Sequence, residues 1–270
     1  MIGKNPDPLR PTGGNQRGSF MTLATRVLII GLMISQAACA PPAPREENKG
    51  VAVVELFTSE GCSSCPPADD LLALLAADAK KTGRPVYCLS FHVDYWDDLG
   101  WKDRFSDAAH TKRQQEYARL LGLRNVYTPQ MVVNGADEFL GSDHKKAAKA
   151  VETALAGKSV ATVNLNVSAD GREIAVEYKV SDAPAGTVLC VAWTETEASS
   201  APDRGENSGQ KLRHRNIVRD FHVVKSKTPF SGKAALKRRD TKSGTVIAFV
   251  QDVKSGRILG ASSAEVTADR

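Results

Sequence analysis

The chain has 270 residues, of which 41% are hydrophobic and 25% charged, a balance that excludes a disordered chain and bounds the fold to one or two domains. Its formal net charge is +5, and the densest basic run is Lys237, Arg238 and Arg239. That run reads as a solvated face, so charge gives no support to nucleic-acid binding.

Arg26 precedes an apolar run from Val27 to Ile34 that ends in the small residues Ser35, Ala37 and Ala38. This is the pattern of a signal peptide, too short to span a bilayer. Residues before Met21 are rich in Gly, Pro and Asn without periodicity, so Met21 is a second candidate start, with the earlier stretch a non-native extension. Cys39 follows Gln36-Ala37-Ala38, similar to a lipoprotein cleavage site with Gln where an aliphatic residue is usual, and lipidation is the lesser reading. Residues 1–40 are therefore expected to be an export signal, and residues 41–50, with Pro41-Pro42-Ala43-Pro44, a stiff and then polar linker. The expected location is periplasmic or secreted, with membrane contact only through the signal or a lipid on Cys39.

Val51 to Phe57 is almost continuously apolar, as in a strand buried on both faces, and runs into Cys62-Ser63-Ser64-Cys65. Pro66 and Pro67 fit only a helix start, Asp69 and Asp70 suit its first turns, and Leu71, Leu72, Leu74 and Leu75 recur at helical spacing. A strand over Val86–Val93, a polar-aromatic loop and a helix from about Arg104 to Leu121 follow. Met131–Val133 and Glu138–Leu140 read as a hairpin turned by Asn134-Gly135, after which Ser142 is expected to cap a helix through Leu155. From Val160 the pattern alternates: Val163–Val167, Ile174–Val180, Thr187–Trp193, Ile217–Val224, Thr245–Val250 and Arg257–Ala261 read as strands of a sandwich-like all-β unit. The expected division is residues 51–157 and residues 158–270.

Two cysteines separated by two residues at a helix start can form a small disulfide ring, and the helix N–H groups there stabilise a thiolate. Cys62 is expected to be the exposed nucleophile and Cys65 the buried resolving thiol. The chain holds no second Cys-x-x-Cys to complete a zinc site, which leaves a structural disulfide as the other reading. His92 and Asp94 fall where the second strand ends, on the sheet edge expected to carry the dithiol. His92 is thus either a structural histidine, a modulator of the thiolate, or the third ligand of a copper(I) site with Cys62 and Cys65. Tyr95, Trp96 and Trp101 either wall a peptide groove or pack their own loop. Cys88 and Cys190 lie in apolar strands and either pair or stay as buried thiols.

The order strand, dithiol, helix, strand, helix, Pro-led hairpin, helix resembles the smallest thioredoxin-like cores, which implies an α/β thioredoxin-like fold with a C-terminal all-β appendage. That resemblance implies a cis proline at Thr128-Pro129 facing the dithiol, with Thr128 beside Tyr95 and Trp96 in substrate binding, and a buried acid at Glu55 that accepts the Cys65 proton. For Glu55 a solvent-facing strand-end carboxylate is the equal alternative. Four segments together resemble an uncharacterised bacterial family of secreted, thioredoxin-like proteins: Phe57 through Pro67; His92-Val93-Asp94-Tyr95-Trp96; Tyr127-Thr128-Pro129-Gln130-Met131; and Gly205-Glu206-Asn207 with Leu212, His214, Asn216 and Ile217-Val218-Arg219. The likeness spans Val51 to Val266 and implies an exported setting without a reaction. Gly61 and Ser63-Ser64 depart from thioredoxin itself, which has Trp and Gly-Pro at these places.

The expected function is an exported thiol–disulfide oxidoreductase acting on protein or small-molecule disulfides, with no cofactor beyond the dithiol. The alternatives are a copper(I) carrier and a non-catalytic adaptor. The reductase or isomerase direction is expected because no histidine lies between the cysteines and because Glu60, Asp69 and Asp70 oppose thiolate formation if they lie near Cys62.

Overall fold

In the computed structural model, the described residues are 49–225, 230–238 and 243–267. The expected export signal, Cys39, most of the linker and Arg239 lie outside them.

Strand β1 (Ala52–Thr58) is buried along its whole length. It lies between the parallel strand β2 (Val86–His92) and the antiparallel strand β3 (Gln130–Val133), which turns at Asn134-Gly135 into β4 (Asp137–Leu140). Asn134 and Gly135 both have positive φ, 49° and 63°, as the centre of a tight turn closed by the Ala136 N–H on the Val133 carbonyl requires. Helix α1 (Pro66–Thr82) starts on its two prolines, whose missing N–H groups have no helical acceptor to lose. Helix α2 (Ala108–Leu121) begins four residues later than the sequence suggests, because the Asp107 carboxylate caps it through the Ala109 N–H. Helix α3 (His144–Ala156) is likewise capped by Asp143, through the Lys146 N–H, and not by Ser142.

The expected fold class is overturned. Strands β7 (Thr187–Ser200), β8 (Leu212–Lys225), β10 (Gly244–Asp252) and β11 (Ile258–Val266) do not form a separate appendage. They continue the first sheet in the order β11-β10-β7-β8-β2-β1-β3-β4, and β8 runs parallel to β2 through Ser90 and Ile217. The architecture is mostly β, with this eight-stranded mixed sheet, a three-stranded sheet and three helices among the described residues. The physical reason lies at β2, whose outer edge an α/β core would leave unpaired; β8 covers that edge.

The second sheet is β5 (Thr162–Asp170), β6 (Glu173–Ser181) and β9 (Phe230–Lys237), all antiparallel. Strand β6 alternates buried and exposed residues, and its Ile174, Val176 and Val180 pack against Leu189, Val191, Trp193, Val246 and Ala248 of the large sheet. Strand β9 escapes sequence detection because its only bulky buried residues are Phe230 and Leu236, with Gly232 and two alanines between. Beyond it, Arg238 is fully buried with Nη2 donating to the Thr267 carbonyl, so the basic run is not a solvated face at that residue.

The faces of β1 divide the remaining core. Ala52, Val54 and Leu56 pack against Ala68, Leu71 and Leu72 of α1, while Val53 and Phe57 face Tyr117 of α2.

Candidate functional site

Strand β1 ends at Thr58, and the chain turns through Ser59, Glu60 and Gly61, with the Cys62 N–H donating to the Ser59 carbonyl at 3.2 Å. Cys65 follows one turn later as the residue preceding α1, and a disulfide joins Cys62 and Cys65 with their Cα atoms 5.4 Å apart. Ser63 and Ser64 between them are exposed.

Cys62 is not the exposed residue expected of a nucleophile: both cysteines are 0% accessible. The cover comes from the connection between β7 and β8. Asn207 Nδ2 donates to the Glu60 carbonyl at 2.9 Å and to the Cys62 carbonyl at 3.0 Å, while Glu206 Oε2 accepts from the Ser63 N–H at 3.0 Å and the Ser63 hydroxyl at 2.7 Å. Those two bonds hold the Glu206 carboxyl below its usual range. The segment quoted for its family likeness, Gly205-Glu206-Asn207, therefore lies on the dithiol.

Thr128-Pro129 is cis, and Gly141 lies between Pro129 and Ala68 of α1, where an added Cβ would come within 3.0 Å of Pro129 and 3.1 Å of Ala68. Pro129 thus sits beside the first turn of the helix that carries Cys65. The Trp96 indole N–H donates to the Thr128 hydroxyl at 2.8 Å, and Trp96 Cβ lies 3.2 Å from where a Gly61 side chain would begin. Gly61 leaves room for Trp96. Tyr95 is exposed and donates to Gln114 of α2 at 3.2 Å.

Glu55 is buried, which excludes the solvent-facing reading, yet it is not placed to take the Cys65 proton. Side chains alternate along a strand, so Glu55 points with Val53 and Phe57 toward α2, away from α1. There Arg113 grips it through two nitrogens, the Nη2–Oε1 bond being 2.9 Å, and the Tyr117 hydroxyl donates to it at 2.6 Å. The Arg113 guanidinium lies 4.8–5.6 Å from the ring centres of Phe91, Tyr117, Phe221 and Phe249. Glu55 is a structural ion-pair partner in an aromatic shell.

The acids near the dithiol are others. Glu60, Asp69 and Asp103 are all buried, together with His92 and His214. His92 Nδ1 is 2.6 Å from Asp103 Oδ2, and Asp103 also accepts from the Glu60 and Phe105 N–H groups. Burial works against the Asp103 charge, but His92 and those donors outweigh it and pull its carboxyl down to about 2. His214 of β8 stacks edge-on to His92 with ring centres 4.8 Å apart. Its Nε2 is 3.4 Å from Glu60 Oε1 and its Nδ1 3.9 Å from Asp69 Oδ2, while neither nitrogen has a hydrogen-bond partner. Burial also opposes charge on Glu60, but His214 and the Trp101 indole N–H, 2.7 Å from its Oε2, hold its carboxyl below the usual range. Asp69 differs: with the Thr58 hydroxyl as its donor at 3.1 Å, burial prevails and pushes it up to about 7. The sequence places Asp69 in the first turns of a helix and Glu60 near the cysteines, and gives His214 no role. The signal was His214 itself, a histidine in an otherwise alternating strand.

Among the described residues, no three or more His, Cys, Asp or Glu side chains are arranged to hold a metal ion. His92 Nδ1 is engaged by Asp103, and the two cysteines are joined to each other. Cys88 and Cys190 are free and fully buried in different core layers, so they do not tie two parts of the chain together; burial pushes both thiols up to about 12. Among the described residues no helix is long and apolar enough to cross a membrane.

Among proteins of curated function none matches this chain. A protein of Agrobacterium tumefaciens solved by X-ray crystallography is 28% identical, with 82% of this chain and 96% of that one covered at a TM-score of 0.59. HBP35 of Porphyromonas gingivalis is 16% identical over 82% of this chain and 76% of its own, with a TM-score of 0.56, a likeness of fold alone. The family described as protein of unknown function (DUF1223) matches residues 53–251, more than half of the chain.

Proposed function

The chain belongs to that family, and we propose from its own residues that it is an exported thiol–disulfide oxidoreductase. The Cys62–Cys65 pair cycles between disulfide and dithiol, in the reductase or isomerase direction, on protein or small-molecule disulfides. The observation that carries this reading is a disulfide at a helix start, one turn from a buried carboxyl whose proton affinity is raised to about 7. Export is supported by the signal-like residues 26–38 and by the disulfide itself, which belongs in an oxidising compartment. The buried acids beside the dithiol oppose a strongly stabilised Cys62 thiolate and so favour a potential below roughly −180 mV.

Burial of both cysteines favours a second reading, in which the disulfide only braces the start of α1. Replacing Cys65 by Ser separates the two. An oxidoreductase lacking its resolving thiol accumulates mixed disulfides through Cys62, visible on a non-reducing gel and absent from the Cys62, Cys65 double substitution. A Cys65→Ser protein that captures nothing, even with the Asn207 cover weakened, leaves the brace as the function of the pair.

A further inference from the structure

Resolution of a mixed disulfide on Cys62 needs a base for the Cys65 proton, and this section rests on the redox reading above. Glu55 is on the wrong face of β1 and is held by Arg113. Of the three buried acids on the dithiol side, Asp103 is bound to His92 and Glu60 accepts from the Trp101 indole. Asp69 alone belongs to α1, four residues after Cys65, where positions i and i+4 share a helix face; its N–H donates to the Cys65 carbonyl at 3.1 Å. Its carboxylate accepts one bond from Thr58, at 3.1 Å. The next polar group is His214, 2% exposed, its Nδ1 3.9 Å from Asp69 Oδ2 and its Nε2 3.4 Å from Glu60 Oε1.

We infer that Asp69 accepts the Cys65 proton when the mixed disulfide on Cys62 is resolved, and that His214 is the positioning residue that sets how tightly Asp69 holds that proton. The charged and titratable groups facing Asp69 are His214 from β8, Glu60 from the turn after β1, Asp103 from the loop after β2, and Asp70 beside it on α1. Glu60 and Asp103 are held ionised, so the third acid of the cluster is the one that exchanges a proton near neutral pH. His214 lowers the proton affinity of Asp69, while burial, Asp103 and Asp70 raise it.

The chemistry balances without a further reactant. The Cys62 thiolate attacks an external disulfide, one thiolate leaves, and a mixed disulfide forms. The Cys65 thiol then gives its proton to the Asp69 carboxylate, and the Cys65 thiolate attacks Cys62 Sγ. The second thiolate departs, the external disulfide has gained two electrons, the dithiol has lost them, and Asp69 returns the proton to the leaving thiolate or to water.

The test uses the reduced full-length mature protein and 5,5′-dithiobis(2-nitrobenzoate), with stopped-flow absorbance following release of the first and second nitrothiobenzoate. Cys88 and Cys190, fully buried, do not compete, and Cys39 is replaced by Ser in every protein compared. In the wild type the second release accelerates with pH through a midpoint near neutrality. Asp69→Asn is expected to slow it by about 100-fold near pH 7, the low end of general-base effects, and to converge on the wild type where Cys65 ionises unaided. His214→Gln removes the group that lowers the Asp69 proton affinity and moves the midpoint to higher pH, a shift that a packing role does not produce. If Asp69→Asn does not fold, the midpoint shift in His214→Gln decides alone. A wild type that resolves while both variants keep its pH profile overturns this inference and leaves the redox reading standing. A wild type that never releases a second nitrothiobenzoate overturns both.

Discussion

The Asn207 side-chain amide donates to the Cys62 carbonyl at 3.0 Å across 145 residues of sequence. Together with its bond to the Glu60 carbonyl, it holds the β7–β8 connection closed over the disulfide. With the two Glu206 bonds to Ser63, these are the side-chain contacts that have to open for a thiol or disulfide to reach Cys62 by this route.

Replacing Asn207 by Ala removes both bonds from a residue that is 1% exposed. With a net worth of about 1 kcal/mol per bond, the open state gains roughly five- to thirtyfold in population. Reduction of the Cys62–Cys65 disulfide by dithiothreitol is expected to accelerate by that factor, measured by quenching with an alkylating reagent. An unchanged rate means that the connection does not gate the dithiol.

Truncating one partner of the Glu55–Arg113 pair strands the other charge in the core. Arg113→Ala or Glu55→Ala is expected to cost about 3–5 kcal/mol in urea unfolding, and the pair removed together with apolar residues of similar volume much less. Because this pair faces away from α1, the reduction potential of Cys62–Cys65 should not move. A potential that shifts with Glu55→Gln restores this acid to the redox chemistry.

Two buried groups pull the pH dependence of stability in opposite senses. His110, donating to the His92 carbonyl from inside the core, is lowered to about 4 by burial. The unfolded chain therefore binds more protons below roughly pH 6.5, and stability is lost as pH falls from there toward 4. Asp69 is raised, so the folded chain binds more protons between the ordinary carboxylate range and about 7, and stability is lost as pH rises through that window. Asp69→Asn keeps an acceptor for Thr58 without the charge. It is expected to gain roughly 2–4 kcal/mol on the wild type between pH 4 and pH 8, read from urea midpoints. A wild-type-minus-variant difference that is flat with pH removes the raised affinity on which Asp69 as proton acceptor depends.

What the sequence by itself determined is local. The apolar run of β1, the double proline opening α1, the Asn134-Gly135 turn and the alternating residues of β6 each specify their structure through rules reaching a few residues along the chain. The cysteine pair and its position at a helix start were legible for the same reason. Which strands share a sheet was not. Two separate patterns, one α/β and one alternating, read as two folds because neither contains the information that β8 closes the edge of β2. That pairing alone decides the site. It brings His214 beside Asp69 and lays Asn207 over Cys62, while the pleat of β1 turns Glu55 away from both. Strand pairing is a long-range choice, set by burial of an open edge and closure of the 127-residue interval between Ser90 and Ile217, and no local propensity encodes it.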